Sequence, residues 1–331
     1  MIDGTVVSKS SKSENKLVSF LRRLIKQREM AMIMLILAAC VIMTFLSPYF
    51  LSVTNFIAIS RGFSMEGMVT IGMALLIITG SFDLSVGALM ALSGIVTAWL
   101  IVTAHMPYGI AVLGGVGTGA FVGLINGILV TRFRINALIA TLGTMTIARS
   151  MALGFTEGRP VIGVPLDFAW LGQGSIGGVP VPFVMLVLIA LVVDILLRRG
   201  RTLRQLYYVG GNQRAARLSG IPVDRIILMA FVGSGLSAGL GGVITMARLT
   251  SGIPTAYAGV ELRVIAACVI GGMSLSGGEG TILGALLGLI FMALVSNAMT
   301  LLGVSVYWEG AITGGILITA VALDMLSRRK S

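Results

Sequence analysis

The stretch RRGRTLRQLYYVGGNQRAARLSGIPVDR, residues 198–225, decides how the chain is read. It carries seven arginines (Arg198, Arg199, Arg201, Arg204, Arg214, Arg217 and Arg225), with long apolar runs on both sides. Across all 331 residues, apolar types make up 56% and charged types only 11%, against about 45–50% and about 25% in soluble domains. So few charges cannot cover so much apolar area in water. The chain reads as an integral membrane protein with a basic loop at its middle.

The net charge of +11 raises the question of nucleic acid, and the charge distribution answers it. Lys9, Lys12, Lys16, Arg22, Arg23, Lys26 and Arg28 cluster near the start, and Arg328, Arg329 and Lys330 near the end. With the central loop these clusters hold 17 of the 24 cations, and each borders an apolar run. That is the pattern of cytoplasmic segments under the positive-inside rule. Nucleic acid is not expected as a partner.

A helix needs about 20 apolar residues to cross roughly 30 Å of hydrocarbon. Ten such spans are expected, at about 30–47, 64–80, 85–104, 107–131, 136–155, 182–197, 226–247, 258–274, 281–302 and 309–326. Six crossings separate the first basic cluster from the loop and four separate the loop from the last. Both numbers are even, so all three clusters, with Arg132 and Arg134, fall on one side. The expected fold class is an all-α polytopic membrane protein with both termini cytoplasmic. It divides into a basic segment at 1–28, a membrane domain at 29–326 and a tail at 327–331. The run Met30 to Leu46 is too long for a signal-peptide core and reads as the first span. Segment 51–63 (LSVTNFIAISRGF) is expected as an amphipathic stretch at the outer interface. The Gly- and Pro-rich segment 156–181 is expected as an outer loop, with Trp170 at the interface.

Glycine is frequent at 44 residues. Gly115, Gly119, Gly123 and Gly127 recur every four residues and make one smooth helix face. Gly235 and Gly239, with Ser234, Ala238 and Gly242, form a second, and Gly310 with Gly314 a third. Such faces let backbones approach closely in lipid. Packing within the chain is the expected use, with contact between subunits the alternative. There is also a faint repeat: TIGMALLIITGSFDLSVG (70–87) resembles LRVIAACVIGGMSLSGG (262–278). Paired halves are a common transporter plan, with the substrate route between them.

Glu66, Asp83, Arg149, Glu261 and Arg263 lie in or beside spans, where a charge needs a partner or a watery cavity. Asp194 and Asp324 each stand four residues before an arginine, Arg198 and Arg328, so helical pairing suffices. An outer-interface position is expected for Glu261 and Arg263. Asp83 either caps the following helix or serves gating or the substrate path. Cys40 and Cys268 read as small core residues. There is no G-x-x-x-x-G-K-[ST] phosphate loop, and a lone His105 makes neither a metal site nor a triad. An enzyme is not expected, nor a metal.

Within the basic loop, Asn212 to Leu218 predicts a short helix, capped by Asn212 and closed by Gly220 with Pro222 soon after. It would expose Arg214 and Arg217, with Ala215 and Ala216 as a low-relief surface for another protein. Alternatively the loop only fixes topology.

The chain resembles the membrane permease subunit of ribose-type ABC sugar importers, in the branched-chain amino acid and ribose permease superfamily. The likeness runs from about residue 45 to 326. It rests on SPYFLSVTNF (47–56), GSFDLSVGALMALSG (80–94), INALIATLGTMTIARSMALGFTEGRPV (135–161), GRTLRQLYYVGGNQRAARLSGI (200–221) and ARLTSGIPTAYAGVELRVIAACVIGGMSLSGGEGTILGALLG (247–288). Phe82 departs from the smaller residue usual there. The resemblance implies that GGNQRAARLSGI docks an ATPase subunit, through Gly211, Asn212, Arg214, Ala215, Ala216, Leu218 and Gly220. ATP and Mg would then sit on that partner and not on this chain. It also implies a periplasmic sugar-binding protein, a second permease subunit (identical or sister) and the bacterial inner membrane. For a sugar the path needs neutral hydrogen-bonding groups. Asp83, Ser85, Asn126, Thr141, Thr144 and Asn297 are the candidates for path or gating. Two competing readings are a proton-driven secondary transporter using Glu66 and Asp83, and an ABC permease for a branched-chain amino acid. A non-transporting scaffold sits poorly with the glycine faces and paired halves.

Overall fold

A computed structural model describes residues 28–328. The basic segment before residue 28, the tail beyond 328 and the side chains of Asp324 and Arg328 lie outside the described residues. Thirteen α-helices account for most of the rest. Ten of them fall on the ten apolar runs of the sequence: α1 Arg28–Leu46, α2 Val53–Ile78, α3 Val86–Val102, α4 Tyr108–Thr131, α5 Ala137–Thr156, α7 Val181–Arg199, α10 Val223–Leu249, α11 Val260–Ile270, α12 Ile282–Leu301 and α13 Glu309–Arg328. The others are α6 Leu166–Gln173, α8 Arg201–Gly211 and α9 Gln213–Leu218. Seven are long and apolar enough to cross a membrane: α1, α2, α4, α5, α7, α10 and α12. Helix α3 has 17 residues and α11 only 11, and α13 has a shorter apolar stretch at Glu309–Ala322.

The segment 51–63 does not form a separate interfacial stretch. From Val53 it is the first half of α2, capped by Ser52, whose hydroxyl accepts from the Asn55 amide at 3.2 Å. No proline interrupts it, and its polar residues find partners inside the protein. Arg61 donates to the Gln173 carbonyl at 2.7 Å, and Asn55 pairs with Asn297. The loop 156–181 is also more ordered than its composition suggests. It holds α6, a hairpin of β2 (Ser175–Ile176) with β3 (Val179–Pro180), and β1 (Val161–Ile162). Strand β1 runs antiparallel to β4 (Ser251–Gly252), with Val161 opposite Gly252, so the loop is pinned to the end of α10.

Among the seven long helices α2 and α10 are the most buried, the shorter α3 is largely buried as well, and α10 packs against α4, α2 and α3. The glycine faces set this arrangement. Gly119 lies against Gly235 and Gly239, Gly123 against the Phe231 carbonyl, and Gly115 against Thr97 and Ser93 of α3. A side chain at any of them would hold the helices apart, so their close approach depends on bare backbone. The third face does not pack this way: around Gly310 and Gly314 there is open space, with no neighbour on that side of α13 among the described residues.

The two halves of the sequence repeat meet in space. The loop after α2 (Gly80–Ser85) touches the loop after α11 (Gly271–Gly280), through Gly80 against Ser276 and Gly277. Both loops contain the same local turn. Asp83 Oδ1 accepts from the Ser85 amide at 2.8 Å, and Ser274 Oγ accepts from the Ser276 amide at 3.1 Å. Each is a side chain bonding its own backbone two residues on, the Asx or Ser turn. The faint sequence repeat is therefore also a repeat of conformation.

Candidate functional site

Helix α7 ends at Gly200, and the chain turns directly into α8. Leu203, Leu206, Tyr207 and Gly210 recur at three- and four-residue spacing and face the bundle, while Arg201, Arg204 and Tyr208 face outward. Leu206 and Val209 are fully buried there. Tyr207 donates its hydroxyl to the Gly280 carbonyl at 2.9 Å. Burial, then the neighbouring Asp194 carboxylate, push this phenol above its ordinary range, so it stays protonated and able to donate.

Asn212 then breaks the helix with extended backbone, and its side-chain oxygen accepts from the Ala215 amide at 2.9 Å. This N-cap starts α9, which runs for six residues. Gly220 closes it in the left-handed conformation (φ +78°) that a residue with Cβ rarely adopts, and Pro222 follows. Gln213, Arg214, Ala215 and Leu218 are exposed, and Leu218 is 85% accessible. Beside it lies an open cavity of about 460 Å³ lined by Tyr207, Tyr208, Asn212, Ala215, Ser219 and Ile221. Ala216 departs from the expected exposed pair. It is 4% accessible and packs into the core, because a six-residue helix laid on the bundle must turn one face inward.

The sequence reading overlooked what holds α9 in place. Asp224, in the first turn of α10, pairs with Arg217 at 2.5 Å and with Arg134, from the α4–α5 turn, at 3.2 Å. One carboxylate thus ties three segments together. Arg217 is exposed but committed to this clamp, while Arg214 is not part of it. An acidic residue just after a proline at a helix start was the available signal.

The candidate path residues divide into three groups. Asp83, Ser85 and Asn126 come together with none of their surface accessible. Asp83 Oδ1 accepts from the Ser85 hydroxyl at 2.5 Å, and Asn126 Nδ2 donates to Ser85 Oγ at 3.1 Å. Asp83 does not cap α3, whose N-cap position is Ser85. It orders the GSFDLSV turn, and Asn126 bonds that turn to α4. Thr141 and Thr144 are buried, and their hydroxyls return to the carbonyls of Ala137 (2.8 Å) and Ala140 (3.2 Å) on their own helix. Asn297 and Asn55 exchange amide hydrogen bonds at 2.7 and 3.2 Å, which joins α12 to α2.

A charged network lies farther along the same helices. Arg263 of α11 pairs with Glu66 of α2 at 2.7 Å and with Glu309 of α13 at 3.0 Å, and Ser296 of α12 donates to Glu309 at 2.6 Å. All three charged side chains are about three-quarters buried. Arg263 is therefore an internal tie between helices. Pairing is what makes its charge tolerable there. Glu261 is part-buried as well, with one oxygen accepting from the Gly259 amide at 3.1 Å. Arg149 donates to the carbonyls of Pro254 (3.0 Å) and Ala256 (2.7 Å). Cys40 is a free thiol and partly buried, and Cys268 a free thiol fully inside the core.

A crowded bundle of apolar helices with an internal ionic tie marks a polytopic membrane protein, and it carries a capped short helix on its surface. The chain belongs to the family described as branched-chain amino acid transport system / permease component, whose model matches residues 55–321. It is 39% identical to the ribose import permease protein RbsC of Bacillus subtilis, over 88% of this chain and 90% of that one. The ribose import permease protein RbsC of Escherichia coli K12 is 37% identical, over 91% and 94% of the two chains. The D-allose transport system permease protein AlsC of the same strain is 39% identical, over 85% and 86%. No solved structure matches the chain.

Proposed function

We propose that this chain is the permease subunit of an ATP-binding cassette importer for a ribose-like monosaccharide. The observation that carries this reading is α9, a rigidly capped helix of six residues that offers Ala215, Arg214 and Leu218 to a partner beside a ready-made cavity. An ATPase subunit docks there, holding ATP and Mg. At the opposite end of the bundle a periplasmic binding protein delivers the sugar. Two permease subunits enclose one path in the bacterial inner membrane. The chain crosses that membrane ten times with both termini cytoplasmic, three crossings being made by the short helices α3 and α11 and by α13 with its shorter apolar stretch.

The sugar names of the three relatives and the neutral side chains of Asn126, Thr141, Thr144 and Asn297 support a sugar over an amino acid. An amino acid would need partners for two opposite charges, and the charged groups Glu66, Arg263 and Glu309 are already spent on one another. In the closed state Asp83, Ser85 and Asn126 seal the path and must part for it to open, with Thr141, Thr144 and Asn297 offering hydroxyl and amide contacts.

Ala215→Trp tests the docking role, since Ala215 is exposed and the change leaves the bundle untouched. The variant is expected in the membrane at normal amounts, without sugar-stimulated ATP hydrolysis or uptake. Unchanged stimulation, or labelling of an Ala215→Cys variant only from the periplasm, would refute the assignment.

A further inference from the structure

Three segments far apart in sequence meet at one point with no side chain between them. They are the end of α8, the loop after α2 and the loop after α11. Ile78 occupies the last turn of α2, where helix carbonyls lack internal partners. Its carbonyl accepts from the Gly278 amide of the other loop at 2.8 Å. Gly210 of α8 sits on this hydrogen bond. A methyl group at Gly210 would collide with the Ile78 carbonyl oxygen and lie 2.5 Å from the Gly278 nitrogen. A methyl at Gly277 would lie 2.7 Å from the Gly80 nitrogen and 3.0 Å from the Gly210 carbonyl oxygen. Gly80, Gly277 and Gly278 all have positive φ (+77°, +87° and +78°), a conformation glycine adopts without steric cost. The Tyr207 hydroxyl, one turn before Gly210, fastens the same loop at Gly280.

From this geometry we infer that Gly210 is a positioning residue that carries movement of the docking segment into both halves of the permease at once. The inference rests on the docking reading above. A backbone junction without side chains has no soft rotamers to absorb a displacement, so α8 cannot shift without moving both loops. The first of those loops holds Asp83 and Ser85, and through them Asn126 of α4. A push on α9 therefore reaches the sealed polar cluster through contiguous backbone, the kind of physical route that coupling between sites requires. The Asp224 clamp steadies the other end of α9, which leaves α8 as the lever.

The test uses the whole importer, purified through this chain together with the ABC ATPase that accompanies it, in three variants. Gly210→Ala adds one methyl at the junction. Tyr207→Phe removes one hydrogen bond to the same loop and keeps the ring. Gly143→Ala, at a glycine with nothing within 4 Å of the added carbon, controls for the substitution itself. Gly210→Ala stands at the first residue of the docking segment, so uptake and hydrolysis are scored per ATPase retained, which tells a loss of docking from a loss of coupling. Uptake and the stimulation of hydrolysis by loaded binding protein should fall about tenfold, the size of a typical coupling free energy. Tyr207→Phe should show the same split more weakly, and Gly143→Ala none of it. If Gly210→Ala does not accumulate, Tyr207→Phe decides: a loss of stimulation with the ATPase retained supports the junction, and wild-type behaviour overturns it. Normal coupling in Gly210→Ala also overturns it, as does an equal loss in Gly143→Ala. Failure of the wild-type chain to bind the ATPase through α9 would instead remove the docking reading, and the junction with it.

Discussion

Gly117 and Gly119 stand two residues apart on α4, and the structure gives the same substitution opposite signs at the two positions. Gly117 is exposed, with nothing within 4 Å of the place a Cβ would occupy. Gly117→Ala there only removes glycine's entropic penalty in a helix and should stabilise by about 0.5–1 kcal/mol. At Gly119 the new carbon would press into the Gly235 carbonyl oxygen and lie 2.9 Å from both Cα and N of Gly239. Non-bonded carbon contacts are best at about 3.5–4.0 Å, so α4 and α10 must separate by roughly 1 Å. Helix backbones cannot flex away as a side chain can. The separation also loosens Gly123 from the Phe231 carbonyl and Gly115 from Thr97. Overpacking of this kind costs about 1–3 kcal/mol, and the gain in helix propensity of about 1 kcal/mol offsets part of it. Rigid backbone on both sides puts the cost in the upper part of that range, so the net loss expected for Gly119→Ala is up to about 2 kcal/mol. Thermal unfolding of each variant in detergent, followed by intrinsic fluorescence, measures the difference at about 2 °C per kcal/mol for a long chain. Shifts of the same sign in both variants would refute the claim that close backbone contact, and not helix propensity, decides these glycines.

Two further outcomes follow from the polar and charged networks. Asp83→Ala leaves the Ser85 amide and the Ser85 hydroxyl without their acceptor, at about 1–3 kcal/mol for each buried group left unmade. Asn126→Ala removes the bonds of one amide, to Ser85 Oγ at 3.1 Å and more weakly to the Asp83 carboxylate at 3.5 Å, at about 0.6 kcal/mol for an interhelical bond in membranes. Equal losses of thermal stability in the two variants would contradict Asp83 as the centre of the cluster. Arg263→Met should approach the roughly 3–5 kcal/mol of a broken buried pair, because Glu66 and Glu309 are left facing each other. Adding Glu66→Met should restore part of that stability, and strictly additive losses in the double variant would show that the two residues do not interact.

How far the molecule can be read from its residues depends on the range of the forces involved. Composition and apolar run length placed ten helices, because in lipid every backbone polar group must bond within its own segment. The cap at Asn212 and the stop at Gly220 are equally local, so α9 was visible as a pattern of residue types. The four-residue glycine spacing marked a close-packed face for the same reason.

Other features depend on which helix lies beside which, and no local pattern carries that. Nothing near Ala216 says that it, and not Ala215, turns inward, since that depends on how α9 lies on the bundle. The face of Gly310 and Gly314 looks like that of Gly119 in sequence, yet only the latter has a helix against it. Glu66, Arg263 and Glu309 are separated by 197 and then 46 positions, so their pairing exists only once α2, α11 and α13 are side by side. The meeting of Gly80, Gly210 and Gly277 is of the same kind. Helix formation and capping are decided within a turn or two, where the energies are backbone hydrogen bonds and sterics. Charge compensation and backbone-to-backbone contact are decided by proximity in space, which only the folded bundle supplies.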